Sequence, residues 1–214
     1  FPREIIRRAW ELGLASTAIP PEHGGVGLSL LDTCLVTEEI AWGCAGFGTS
    51  IMCNDLGLTP ILVAGSEEQK REWLGACAAR FTLVSFCLSE PNAGSDVAGL
   101  QLLATRDGGD YVLHGTKCWI TDGGEAGLYT VFATLDRSPR HRGICAFVVP
   151  ADTPGITRGK KEDKMGQRAS DTRVVSFDSV RVPAAQRLGD EGEGFKIAMR
   201  TLDRTRPSIG SLAT

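Results

Sequence analysis

Three short segments of this 214-residue chain bring together residue types that could handle a small molecule. Phe86-Cys87-Leu88-Ser89-Glu90-Pro91-Asn92-Ala93-Gly94-Ser95-Asp96-Val97 carries a strand into a turn of small polar residues, exposing several backbone N–H groups and hydroxyls together. The plainer reading is an elaborate turn. Lys117-Cys118-Trp119-Ile120-Thr121-Asp122-Gly123-Gly124 ends a strand in glycines, with Trp119 and Thr121 on alternate positions. Such a tryptophan is either a core residue or the wall of an aromatic-ligand site. In Leu202-Asp203-Arg204-Thr205-Arg206-Pro207, Asp203 and Arg206 share a helix face at i,i+3, as solvated surface pairs commonly do.

Other chemistries find little support. Gly25-Val26-Gly27 lacks the third glycine of a dinucleotide fingerprint and follows no strand. Gly155-Ile156-Thr157-Arg158-Gly159-Lys160 is one residue short of a phosphate-binding loop, and no Ser or Thr follows its lysine. No G-x-S-x-G elbow occurs. The histidines, 23, 114 and 141, are too scattered for a metal cluster or a hydrolytic triad. Seven cysteines form an odd set with no C-x-x-C pair, and most sit in apolar stretches. They are expected to be buried, reduced thiols.

The elements that must hold these segments change character along the chain. Ile5, Ile6, Trp10 and Leu14 recur at helical spacing behind Pro2, and Leu31, Cys34, Leu35 and Ile40 do so over Ser29 to Trp42. Ser66-Glu67-Glu68-Gln69 is a capping box opening a short helix through Trp73. From Phe81 onward the pattern is strands: 82–88, 100–105, 111–114, 117–121, 129–133, 144–149 and 173–177, with Asp107-Gly108-Gly109 as a hairpin turn. Helix returns after Gly194, where Phe195, Ala198, Met199 and Leu202 form one apolar face. The expected architecture is α+β and multidomain. An all-α domain over 1–81 is followed by an antiparallel β-barrel domain over 82–190 and the start of a further helical domain over 191–214.

A 42% hydrophobic share argues against disorder, and a net charge of −3 offers no basic footprint for nucleic acid. No uninterrupted apolar run approaches the roughly 20 residues of a membrane span. The first residues, Phe1-Pro2-Arg3-Glu4, show no initiator Met and no signal or transit pattern, and the chain is expected to be a piece of a longer one.

Taken in order, the three segments resemble the acyl-CoA dehydrogenase flavoproteins, most closely medium-chain-like members. Ala151-Asp152-Thr153-Pro154-Gly155-Ile156, Met165-Gly166-Gln167-Arg168-Ala169-Ser170-Asp171-Thr172 and Gly192-Glu193-Gly194-Phe195 extend the resemblance over essentially the whole chain. It implies FAD as cofactor, bound by Phe86, Cys87, Leu88, Ser89, Gly94, Ser95, Trp119, Ile120 and Thr121. Leu88 and Ser89 would serve the flavin pyrimidine and Thr121 the region of N5. It further implies an acyl-CoA substrate held by Ser95, Asp203 and Arg206, with a weak contact at His141. Departures from the family pattern are Ser89 for threonine, Asn92 for glycine and Asp122 for asparagine. The basic loop 136–143 also matches poorly.

The implied reaction is FAD-dependent α,β-dehydrogenation of an acyl-CoA thioester to the trans-2-enoyl-CoA. Electrons would pass to an electron-transfer flavoprotein, and the protein would be a homo-oligomer, tetramer or dimer. No catalytic residue is assigned within the chain: the family's base lies in the C-terminal domain, and Glu90 is expected to be structural. The compartment implied is the mitochondrial matrix in a eukaryote and the cytoplasm in a bacterium. Three rivals stay open at this point: an acyl-CoA oxidase, a noncatalytic partner subunit, and a β-barrel binding module without cofactor.

Overall fold

Pro2 precedes the first helix, α1 (Arg3–Glu11), in the computed structural model, which describes residues 1–213. Ile6 and Ala9 face inward there, while Ile5, expected on the same face, is exposed. Ser29 caps α2 (Leu30–Gly43), its hydroxyl accepting the Asp32 N–H at 3.2 Å. Two of the four expected apolar positions of α2 point the other way, while Cys34 and Ile40 are half-buried. Leu31 and Leu35 are 68% and 54% exposed, whereas Thr33 and Thr37 are buried. The Thr37 hydroxyl donates to the Thr33 carbonyl at 2.6 Å, which leaves its methyl free to pack in a dry interface.

The long helix α3 (Ala45–Ala64) was not legible as a periodic pattern, because it is buried over most of its circumference. By length and mean composition alone it could cross a membrane, though Thr49, Ser50, Asn54, Asp55 and Thr59 interrupt its apolar run and 67% of that stretch is buried inside the fold. Buried Asn54 ties it to the sheet by accepting the Val84 N–H at 2.7 Å. Asp55, also buried, accepts from the Thr17 hydroxyl and the Ala18 N–H. The capping box forms as expected: Ser66 accepts the Gln69 N–H at 3.2 Å, and the Gln69 side chain accepts the Ser66 N–H at 2.9 Å. The helical run continues past Trp73 as α4 (Glu67–Gln69), a π-turn (Lys70–Leu74) and α5 (Gly75–Ala79). Ser66→Ala should lower stability by about 1 kcal/mol in urea unfolding, the usual cost of a lost cap.

Eight strands form one sheet: β1 (Val84–Cys87), β2 (Leu103–Asp107), β3 (Asp110–Thr121), β4 (Leu128–Thr134), β5 (Ile144–Pro150), β6 (Ile156–Arg158), β7 (Thr172–Pro183) and β8 (Arg187–Leu188). The order is β6-β7-β3-β2-β4-β5-β8, with β1 also on β4. Most neighbours are antiparallel, but β1 and the start of β2 run parallel to β4. Gly108 adopts φ +64° in the expected hairpin, where Asp107 faces Asp110. The two segments 111–114 and 117–121 are one twelve-residue strand. Register shifts near Gly115 and between Lys117 and Ile120 break its alternation.

Strands β4 and β5 are buried on both faces. Tyr129, Val131 and Phe147 enter one core; Phe132, Ala146 and Val148 enter another shared with α3 and the last helix, α6 (Gly194–Ser211). Gly194 allows that helix to approach β5, since a Cβ there would sit 2.6 to 2.8 Å from the Cys145 backbone. Five of the seven cysteines are buried as free thiols, Cys34 is half-buried and Cys44 is exposed.

Candidate functional site

Between α3, the end of β1, the turn after it, the end of β3 and α6 lies a cleft of about 520 Å³, within the usual range for small-molecule sites. Phe86, Leu88, Ser89, Gly94, Ser95, Trp119, Ile120, Thr121 and Arg206 line it. The three sequence segments, dispersed over more than a hundred residues, therefore meet at one place.

The turn and the strand are stitched together from behind. The Cys118 N–H donates to the Ser89 carbonyl at 3.0 Å, and buried Lys117 donates to the Leu88 carbonyl at 3.0 Å and to Glu90 at 2.7 Å. Glu90 also accepts the N–H groups of Gln101 at 2.5 Å and Leu102 at 2.9 Å, so its carboxylate is committed to the framework, as expected. On the opposite side, the Ser89 N–H and hydroxyl have no hydrogen-bond partner among the described residues, and Ser89 lines the cleft. Two adjacent donors are thus available to a bound oxygen or ring nitrogen.

Trp119 sits in the β3 register shift at φ +59°, a strained conformation for a bulky residue, and is 66% exposed at the cleft. It is not a core residue. The bulge turns its indole outward while Lys117 and Ile120 stay buried. The Thr121 carbonyl points away from solvent, taking the Ser85 hydroxyl at 2.8 Å and the Cys53 thiol at 3.6 Å. Next to it, Asp122 at φ +57° accepts the Ser50 hydroxyl at 2.8 Å. Burial pushes its carboxyl up to about 7, with Ser50 opposing and Asp171 adding to the rise. At neutral pH the Asp122 carboxyl is therefore about half protonated, where an ordinary aspartate would be fully ionised. Asp171 itself is anchored by the Gly124 N–H at 2.8 Å and by Arg173 at 2.9 Å.

Three residues named from the sequence lie off the cleft. Cys87 follows Phe86 on β1, so strand alternation sends its side chain into the core, where burial pushes the thiol up to about 12. Asp203 is exposed on α6 and makes no ion pair with Arg206 among the described residues. His141 is outside the cleft and packs edge-on to Phe195, with ring centroids 5.6 Å apart.

Sequence reasoning missed Cys53 and Leu56, which the unperiodic α3 brings to the cleft. Ala98 lay just beyond the first segment, and Asp96 and Val97, inside it, were given no individual role. Both Asp96 oxygens accept from Arg140, at 2.8 and 2.7 Å. Phe195, Met199 and Leu202 were noted only as an apolar helix face; they are half-buried and form one wall. Their i, i+4, i+7 spacing was the available signal.

A cleft floored by a β-sheet domain and walled by one helix that precedes it, α3, and one that follows it, α6, defines the class. Residues 1–80 match the family description "Acyl-CoA dehydrogenase, N-terminal domain" and residues 85–180 match "Acyl-CoA dehydrogenase, middle domain". The chain belongs to the acyl-CoA dehydrogenase family. It is 46% identical to a probable medium-chain specific acyl-CoA dehydrogenase 2, mitochondrial, of Caenorhabditis briggsae, over 99% of this chain and 52% of that protein. It superimposes on butyryl-CoA dehydrogenase from Megasphaera elsdenii with a TM-score of 0.95 and 40% identity, covering 100% of this chain and 57% of that one. A glutaryl-CoA dehydrogenase from Mycobacterium smegmatis in complex with FADH2 matches with a TM-score of 0.90 and 35% identity, over 100% and 54% of the two chains. The chain spans about half the length of the curated relatives it matches.

Proposed function

We propose that the cleft holds the flavin ring of FAD beside the thioester end of an acyl-CoA, and that the complete protein dehydrogenates that ester between Cα and Cβ. The observation that carries this reading is the pair of partnerless Ser89 donors, with the exposed Trp119 indole in the same cleft, in a chain of this family. Bound FAD supplies the hydride acceptor. The chain's own residues bind, orient and shield. Ser89 offers its N–H and hydroxyl to the pyrimidine oxygens, and Trp119 packs against the ring system. Phe86, Phe195, Met199 and Leu202 keep water from the reacting carbons. Ser95 and Arg206, at the cleft edge, take the CoA ester.

Glu90 is spoken for by Lys117 and two backbone N–H groups, and Asp96 by Arg140. The α-proton is therefore assigned to a carboxylate contributed from outside residues 1–213. In this reading an electron-transfer flavoprotein is the acceptor and the protein is a homo-oligomer.

The test is spectroscopic. The complete protein should take up FAD, and straight-chain acyl-CoA should bleach the bound flavin without oxygen. Flavin uptake without bleaching by any short or medium acyl-CoA would remove the substrate half of the proposal; no uptake would remove all of it. Arg206→Ala should weaken binding of a CoA thioester by about tenfold, the loss of one charge-assisted hydrogen bond. Isothermal titration of the flavin-loaded variant measures this directly.

A further inference from the structure

A lysine at a wholly buried strand position is costly. Its ammonium loses hydration, and burial accordingly pulls the Lys117 pKa down while Glu90 opposes the change. An apolar pair of similar volume would serve stability equally well. Stability alone therefore gives no reason for this ion pair, and its geometry supplies another.

Lys117 Nζ grips the Leu88 carbonyl at 3.0 Å and Glu90 Oε1 at 2.7 Å. Glu90 is in turn fixed by the Gln101 and Leu102 N–H groups ahead of β2, so the ammonium cannot drift. The peptide joining Leu88 to Ser89 is trans and planar, as no cis bond occurs among the described residues. In a trans peptide the N–H points opposite to the C=O. Holding the Leu88 carbonyl against Lys117 therefore turns the Ser89 N–H the other way, and that N–H is one of the two partnerless donors of the cleft-lining Ser89. A positive charge on the carbonyl oxygen also polarises the amide, strengthening its N–H as a donor.

We propose that Lys117 is a positioning residue for the cofactor: clamped by Glu90, it aims the Ser89 N–H into the cleft and strengthens it toward negative charge on the flavin pyrimidine. The inference rests on the flavin reading above. It goes beyond that reading by giving a residue that touches neither cofactor nor substrate control over the cofactor's potential. A donor of this kind stabilises the reduced flavin, which carries the extra negative charge, so losing it makes the midpoint potential more negative.

The test uses the complete, FAD-loaded protein and two variants. Lys117→Met leaves Glu90 buried without its counter-charge and is expected to be destabilised. The double variant Lys117→Met/Glu90→Gln carries no buried charge at the site and keeps an acceptor for one of the two backbone N–H groups, Gln101 or Leu102. It should unfold closer to the parent temperature than Lys117→Met does, yet show a more negative flavin midpoint potential and about tenfold weaker FAD binding. An altered flavin absorption envelope should accompany the shift. An unchanged potential and FAD affinity in the folded double variant would reduce Lys117 to a structural residue and overturn the inference. Failure of the unsubstituted protein to bind FAD would instead overturn the flavin reading, and this inference with it.

Discussion

Asp122→Asn should flatten the pH dependence of stability and raise stability at pH 8 by about 2–4 kcal/mol relative to pH 5 behaviour, at about 1.4 kcal/mol per unit of pKa shift. The folded carboxyl titrates near 7 against an ordinary value of 3.8. Below about pH 4 both folded and unfolded states carry the proton. Between these values the unfolded chain has released it while the folded chain still holds it, so stability falls as pH rises. The loss is complete once the pH has passed through the folded value. Asparagine keeps an acceptor for the Ser50 hydroxyl and never ionises, so the variant should lack this slope. Asp55, pushed up to about 6 by burial against the help of Thr17 and Ala18, adds a smaller slope of the same sign that the variant retains. Urea unfolding of both proteins at pH 5 and pH 8 measures the difference. Equal slopes would mean that Asp122 is ionised throughout, despite Asp171, Glu125 and the Cys53 thiol around it.

Where one local rule decides the outcome, the sequence was readable. The Gly108 turn and the Ser66 capping box depend on four residues each, and both formed as expected. Segments 86–97 and 117–124 were also visible as chemistry. That they touch was not, because the bond between Cys118 N–H and the Ser89 carbonyl joins residues far apart in the chain. Resemblance to a family supplied that adjacency. Two helices misled for opposite reasons. In α2 the periodic Leu31 and Leu35 face outward while Cys34 and Ile40 are only half-buried, and the contacts with α3 and α6 bury the small Thr33 and Thr37 instead. In α3 burial on nearly every side erased the period altogether, and with it any sign that Cys53 and Leu56 reach the cleft. Lys117 left no such trace: strand alternation puts it opposite Ile120, and only the register shift between them lets both be buried.

The contact between α3 and β1 is the joint on which the cleft depends, and Gly57→Ala should break it. A Cβ on Gly57 would lie 2.7 Å from the Val84 carbonyl carbon, 2.9 Å from Val84 Cγ1, and closer still to the Val84 oxygen. Two of those atoms are backbone, held by the β1–β4 ladder, so no rotamer change relieves the clash. Either helix or strand must move. The Thr130 hydroxyl, which donates to the Gly57 carbonyl at 3.2 Å, would be displaced along with it. The expected cost is about 3 kcal/mol, the upper part of the range for overpacked cores. The same movement would shift Cys53 and Leu56 against Phe86 across the cleft, so FAD affinity should fall together with stability. Gly75→Ala is the matched control. Gly75 has helical backbone angles and nothing within 4 Å of its would-be Cβ. That substitution should raise stability by about 0.5–1 kcal/mol through helix propensity alone and leave flavin binding unchanged. If both substitutions moved stability in the same direction, the close approach at Gly57 would not be what holds α3 against the sheet.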